Sequence, residues 1–262
     1  CTQLESVIYP NTAATNDNNI FDGSKPMKTI KIIGSGSTQT YTDNNQPWNT
    51  VMTLIENVEF NSTITSVGDY AFKGATSMTK ITLGGVKSIG SYAFSGCTGM
   101  TSLSFTNSET IIGNHAFDGC DKVTTLNLEN VKTIGVESFK SLGIQILTIP
   151  SSVTAIGEKA FATCSKLQSL NYPNHEIRFS SNMFEEVTTL KQISITSTSS
   201  GPMQPYTTGN KPWQSVITTI ETVTINTGVT SVGDYAFEGA TKLTTITSWG
   251  SVTTIGDYAF DG

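Results

Sequence analysis

Charge is scarce in this 262-residue chain, with Asp, Glu, Lys and Arg making up only 14%, against roughly 25% in ordinary globular proteins. The little there is leans acidic, to a net charge of −6. No basic footprint for nucleic acid or an anionic membrane is present. No apolar run approaches the ~18 residues of a membrane-spanning helix, and the first residues carry no signal-peptide profile. Histidine occurs only at 115 and 175. Cys97, Cys120 and Cys164 stand too far apart for any metal-binding pattern. Ser and Thr fill the gap, with roughly 70 residues between them, well above average usage. Ile, Val, Leu and Phe recur throughout at short spacing, which argues against disorder. Composition therefore describes a weakly charged polar surface over a thin apolar core, and names no activity.

What the chain does have is a repeat. Val67-Gly68-Asp69-Tyr70-Ala71-Phe72, Ile89-Gly90-Ser91-Tyr92-Ala93-Phe94 and Ile156-Gly157-Glu158-Lys159-Ala160-Phe161 are copies of one element. A second follows, as in Cys97-x-x-Met100-x-x-Leu103-x-Phe105 and Cys164-x-x-Leu167-x-x-Leu170-x-Tyr172. The unit is C-x-x-L-x-x-I-x-I, a short turn, then V-x-x-I-G-x-x-A-F. Its phenylalanines, Phe72, Phe94, Phe117, Phe139, Phe161, Phe184, Phe237 and Phe260, recur mostly about every 22–23 residues, a solenoid spacing.

Two steps are about double length, and each holds a Pro-Trp pair, Pro47-Trp48 and Pro212-Trp213, where a Phe is due. Counting the tryptophans closes the ladder at about eleven units spanning residues 1–262 as a single solenoid. The two longer units lie near 33–55 and 196–220. Their Ser/Gly/Thr/Asn-rich stretches 34–46 and 197–210 are expected to form long loops on one side. A higher-order repeat links them: Pro47, Trp48, Val51, Ile55, Glu56, Val58 and the run Thr65–Phe72 recur as Pro212, Trp213, Val216, Ile220, Glu221, Val223 and Thr230–Phe237. Cys1-x-x-Leu4-x-x-Val7-x-Tyr9-Pro10 opens a unit and Phe260-Asp261-Gly262 closes one. With no polar cap at either end, the chain is expected to be a fragment of a longer array.

Each position of the unit has a physical job. The last two apolar residues of L-x-x-I-x-I are two apart, so on a strand they share a face. A unit this short cannot bury that face alone and must stack on its neighbours. The expectation is a right-handed curved solenoid with one short parallel strand per unit, and turns, extended pieces or a single helical turn on the return. Ala before Phe leaves room for the next coil. Gly after Ile supplies either a positive φ or a close approach of chains.

The unit C-x-x-L-x-x-I-x-I-P…V-x-x-I-G-x-x-A-F resembles the BspA-type, or Treponema pallidum-type, leucine-rich repeat. The resemblance covers essentially the whole chain, with units 64–105 and 146–172 the best copies, and the Pro-Trp units resemble a variant with Gly34-Ser35-Gly36 ahead of the Trp. It implies a surface or secreted protein associated with adhesion, and brings no catalytic residues with it. Phe179-Ser180-Ser181-Asn182-Met183-Phe184 lacks the Ile-Gly, and Asn16-Asp17 replaces it near the start; both are departures from the pattern.

Few residues suggest chemistry. The Cys position holds Ser24, Ala75, Leu142, Val187 and Ala240 in other units, an exchange expected of a buried site. A disulfide between Cys97 and Cys120 is conceivable, since the two stack in adjacent coils. His115 takes a position held elsewhere by Tyr70, Tyr92, Tyr235 and Tyr258, as a half-exposed packing residue. His175, Glu176 and Arg178 form a polar turn with no nucleophile beside it. Asp43-Asn44-Asn45 lacks the spaced carboxylates of a calcium loop. Asn61-Ser62-Thr63 is a glycosylation sequon. No cofactor, metal or catalytic residue is expected, and a chelator should leave the melting temperature unchanged.

The exposed strand positions matter more. Flanking the inward pairs stand Thr29 and Lys31, Asn57 and Glu59, Lys80 and Thr82, Ser102 and Ser104, Thr125 and Asn127. The series continues with Ile146 and Thr148, Ser169 and Asn171, Gln192 and Ser194, Thr222 and Thr224, Thr245 and Thr247. This hydroxyl-and-amide face is the favoured binding surface; Tyr41 and Tyr206, equivalent residues of the two long loops, are the runner-up where exposed, the alternative being that each folds down over its Pro-Trp pair. Ser248 occupies an inward position, so Trp249 is expected to swing in beside it. The reading is an adhesion array at the cell surface or outside the cell, with a host or extracellular-matrix protein as partner. A structural spacer or immune decoy is the alternative. A remote third reading is a polysaccharide-acting β-helix enzyme, for which Glu56 and Glu59 beside Lys31 and Lys80 are the nearest acid cluster; cross-strand charge pairs explain those four more simply.

Overall fold

The computed structural model describes residues 3–11, 20–24, 26–197, 200–247 and 249–262. The fold is a parallel β-solenoid with a repeat of about 23 residues. The L-x-x-I-x-I segments form the first ladder. Ser6–Pro10, Thr29–Ile33, Asn57–Phe60 and Lys80–Thr82 pair in that order, Ser102–Ser104 pairs with Thr125–Asn127, and Ile146–Thr148, Ser169–Pro173, Gln192–Thr196, Thr222–Ile225 and Thr245–Thr247 make a five-stranded sheet. Register follows the hydrophobic pattern: Val7, Ile30, Val58 and Ile81 lie side by side, as do Leu147, Leu170, Ile193, Val223 and Ile246. A slip of one residue would turn every one of them to solvent.

On the return side the extended pieces expected there are themselves paired. They form a second parallel ladder: Gly36–Ser37, Ile64–Val67, Ser88–Ile89, Thr110–Ile112, Val131–Ile134 and Ala155–Ile156 in one sheet, and Ser231–Val232 with Thr254–Ile255 in another. Stacking makes this necessary, because backbone groups facing an adjacent coil must be paired. The β-branched Val, Ile and Thr of V-x-x-I suit an extended backbone.

The A-F turn supplies a third set of inter-coil bonds. Backbone N–H groups of Tyr92, Phe94 and Gly96 donate to Asn114, Ala116 and Asp118 of the next coil, and those of His115, Phe117 and Gly119 donate to Val136, Ser138 and Lys140. Alternate N–H groups can point up the stack because the residues two before and two after Phe are left-handed. Tyr70, Tyr92, His115, Glu137, Lys159, Tyr235 and Tyr258 all have φ between 50° and 57°. That conformation is uncommon for side-chain-bearing residues, and its recurrence marks a requirement of the coil. The Gly after Ile has the other role foreseen for it. Gly90 and Gly157 do not have positive φ, but an added Cβ would sit 2.6 Å from the backbone nitrogen of Asp69 or Val136.

Phe72, Phe94, Phe117, Phe139, Phe161 and Phe184 stack through the centre at centroid distances of 5.4–5.9 Å, within one buried cluster running from Tyr9 to Ala259. The Pro-Trp coils join this ladder: Trp48 stacks on Phe72 at 4.8 Å and Trp213 on Phe237 at 5.3 Å. Each indole N–H donates to the carbonyl of Ala71 or Ala236 at 2.7 Å. In ordinary coils the backbone N–H of Phe makes this bond, as Phe72 does to Ala93. The residues after Trp form 3-10 helices, Asn49–Leu54 and Gln214–Thr219, which shift the backbone so that an indole replaces it.

Candidate functional site

The nineteen polar positions singled out from the sequence all fall on the first ladder, and the pairing lines them up. Thr29, Asn57 and Lys80 form one row with Lys31, Glu59 and Thr82 beside it; Ser102 faces Thr125 and Ser104 faces Asn127. In the five-stranded sheet the rows are Ile146, Ser169, Gln192, Thr222, Thr245 and Thr148, Asn171, Ser194, Thr224, Thr247. All are exposed or half-exposed. Several satisfy one another across strands: Asn171 Nδ2 donates to Thr148 Oγ1 at 3.0 Å, Thr224 and Thr247 hydroxyls lie 3.0 Å apart, and Asn226 Nδ2 donates to Ser194 Oγ. Ile146, 62% exposed, stands apolar among them.

Three of the four residues weighed as an acid cluster sit in surface ion pairs. Lys31 faces Glu59 at 3.9 Å, and Glu56 turns instead to Lys28 at 3.1 Å.

The loop tyrosines require a correction. Tyr41 and Tyr206 are buried, 6% and 7% exposed, and stand edge-on against Trp48 and Trp213 at 5.7 and 5.6 Å. Burial pushes both phenols upward from the ordinary tyrosine pKa. The long segments are not free loops either. Thr38 and Tyr41 donate backbone N–H groups to Ser66 and Asp69, and Met203 and Tyr206 do so to Ser231 and Asp234, so each segment serves as the return side of its own coil. An open edge of the second ladder would leave buried polar groups unpaired, and the tyrosine ring seals the tryptophan beneath.

Cys97, Cys120 and Cys164 are free and buried. Their thiols donate to the Phe72, Phe94 and Phe139 carbonyls of the preceding coil at 3.3–3.4 Å, and burial pushes Cys120 and Cys164 up to about 12. Asn61 is half-buried, with its amide nitrogen donating to Gly34. Trp249 packs, half-buried, against Phe260 at 5.9 Å; Ser248 lies outside the described residues, as do Cys1 and Asn16-Asp17.

His115 is half-buried and stacked on Tyr92 at 4.4 Å. Sequence reasoning missed its company: Nδ1 lies 3.3 Å from Asp118 Oδ2 and 3.7 Å from Glu137 Oε2 of the next coil. The signal was available, because Glu137 holds in its own unit the position that His115 holds in the one before.

The spacing, the paired ladders, the aromatic stack and the close-approach glycines together define a repeat that can be matched. The chain matches the BspA type leucine-rich repeat region in six copies, over residues 1–83, 50–168, 87–202 and 209–262. It belongs to that family. No curated protein sequence matches it. Among solved structures it is similar to a leucine-rich repeat protein of Eubacterium ventriosum at 18% identity and TM-score 0.46, covering 89% of this chain and 83% of the other. The Treponema pallidum leucine-rich repeat protein aligns at 16% identity and TM-score 0.37, covering 96% and 78%. A leucine-rich cell surface protein of Faecalibacterium prausnitzii aligns at 16% and 0.37, covering 95% and 88%. The Ile-Gly that the BspA-type unit carries, and that residues 179–180 lack, is thus a packing signature and not a site.

Proposed function

We propose that this BspA-type chain is a non-catalytic binding array at the cell surface or outside the cell, attaching through its strand face to a host or extracellular-matrix protein. The observation that carries the reading is the exposed face itself, with hydroxyl and amide groups aligned in rows across successive coils and few charges among them. Membership of a repeat family in which a similar structure is described as a cell surface protein supports the location. Single weak contacts repeated along a rigid array suit avidity. The second reading, a structural spacer or immune decoy, draws on the hydroxyls that already satisfy one another.

Copies of the chain displayed on beads and tested for attachment to host cells and matrix proteins separate the two. Thr222→Lys with Thr245→Lys should abolish attachment, while Ile111→Lys, on the other ladder, should leave it intact. Attachment unaffected by the threonine pair overturns the strand-face assignment, and absence of attachment by the unaltered array favours the spacer.

A further inference from the structure

We propose that His115, Asp118 and Glu137 form a divalent transition-metal site, of the kind that takes Zn2+, on the flank of the solenoid. The expectation from sequence was that the chain needs no metal, and this proposal goes beyond it. The site is an addition to the stack, independent of the strand face.

The three donor atoms, His115 Nδ1 and one carboxylate oxygen each from Asp118 and Glu137, lie within 4.8 Å of one another. Nδ1 stands 3.3 Å from the Asp118 oxygen and 3.7 Å from the Glu137 oxygen. Donors about 2.0–2.2 Å from a tetrahedral zinc stand roughly 3.4 Å apart, so an ion fits between them after small side-chain movements. Imidazole and carboxylate donors in this number suit Zn2+, Ni2+ or Co2+. Coil geometry sets the arrangement. His115 and Glu137 occupy the same left-handed position of successive coils, with φ of 54° and 50°, and Asp118 follows His115 by three residues in the same turn. Tyr92, stacked parallel to the imidazole at an interplanar angle of 6°, holds the ring's plane. The side chains are 19–26% exposed, leaving solvent-facing positions for further ligands.

Two features of the metal-free cluster must change on binding. Nδ1 must be unprotonated, so in the neutral ring the proton resides on Nε2. Lys140 Nζ, which donates to Glu137 Oε2 at 2.7 Å, must give way. The competing lysine provides a test that a bare ion-pair network would fail, because removing it should strengthen metal binding.

Isothermal titration of the full chain with Zn2+, at neutral pH in a non-chelating buffer, should give saturable binding of one ion per chain. His115→Tyr, which installs the residue of sibling coils and so preserves the stack, should abolish it; Glu137→Gln should weaken it at least tenfold. Lys140→Ala should tighten it severalfold, and His175→Gln should leave it unchanged. Co2+ bound in place of Zn2+ should show ligand-field bands without thiolate charge transfer, excluding the cysteines. No saturable binding, binding that survives in folded His115→Tyr, or binding weakened by Lys140→Ala overturns the proposal.

Discussion

The two Pro-Trp blocks have the same framework and opposite electrostatics. Both stack an indole on the next Phe, both bond it to an Ala carbonyl, and both seal it with an edge-on Tyr. In the first block the residue before Pro is Gln46, buried, with Nε2 donating to the Tyr70 carbonyl at 2.6 Å. The cation lies outside, where Lys73 meets Asp43 at 2.6 Å and sits over the Tyr70 and Tyr92 rings. In the second block the residue before Pro is Lys211, its side chain 1% exposed, and the position of Lys73 holds Glu238, 3.4 Å from the ammonium. Thr208, standing where Asp43 stood, donates to the same carboxylate. One scaffold tolerates a buried amide or a buried ammonium, provided the residue after Phe changes with it. The packing is conserved between the blocks as a unit, and the charge is balanced locally within each.

Breaking the shared part should cost most. Trp48→Ala and Trp213→Ala should each lose ~3–5 kcal/mol in denaturant unfolding through the cavity left behind. Near-equal losses would show the two frameworks to be equivalent, and a loss below about 1 kcal/mol at either would separate them. Phe117→Ala, in an ordinary coil, should fall in the same ~3–5 kcal/mol range.

The electrostatic half of the comparison is sharpened by exchange. Glu238→Lys, which copies Lys73 into the second block, should cost ~3 kcal/mol because it leaves Lys211 buried without a counter-ion. Adding Lys211→Gln rebuilds the first block's arrangement and should recover most of that loss. A double variant no more stable than the single one would show that the two positions are not coupled.

The cysteine coils differ from both blocks, which carry Ala75 and Ala240 at that position. A thiol raised from 9.0 to about 12 by burial, as at Cys120, is neutral in the folded chain and ionised in the unfolded chain between those values. The unfolded state then binds fewer protons, so this contribution is intact below about pH 9 and is lost as pH rises toward 12. The slope is on the order of 1.4 kcal/mol per pH unit. Cys120→Ala should flatten the alkaline stability profile relative to the unaltered chain; parallel profiles would refute the assignment. Asp43→Asn, breaking an exposed pair, should change stability by less than about 1 kcal/mol.

Much of this was legible because a repeat states its own constraints many times. Inward and outward strand residues could be assigned from L-x-x-I-x-I alone, and the pairing of Thr222 with Thr245 or Asn57 with Lys80 follows from the unit length. Tryptophan could be placed in the phenylalanine ladder from its register. The second ladder was harder to see, since V-x-x-I segments as short as Ser88–Ile89 carry little pattern and are extended only because a neighbouring coil pairs with them. Tyr41 and Tyr206 were left between loop contact and cover for the Pro-Trp pair for a related reason, their polar, glycine-rich surroundings having the composition of a loop; the structure buries both.

The sequence by itself determined the unit, its length, the faces of the strand and the places where the unit is lengthened, because periodic burial can be read without coordinates. Tertiary structure alone decided which residues of different coils meet. Gln46 with Tyr70, Lys211 with Glu238, and His115 with Glu137 depend on the offset between neighbouring turns and on the left-handed residues that direct side chains along the flank. Those contacts lie between coils, and their chemistry follows from how one turn of the chain rests on the next.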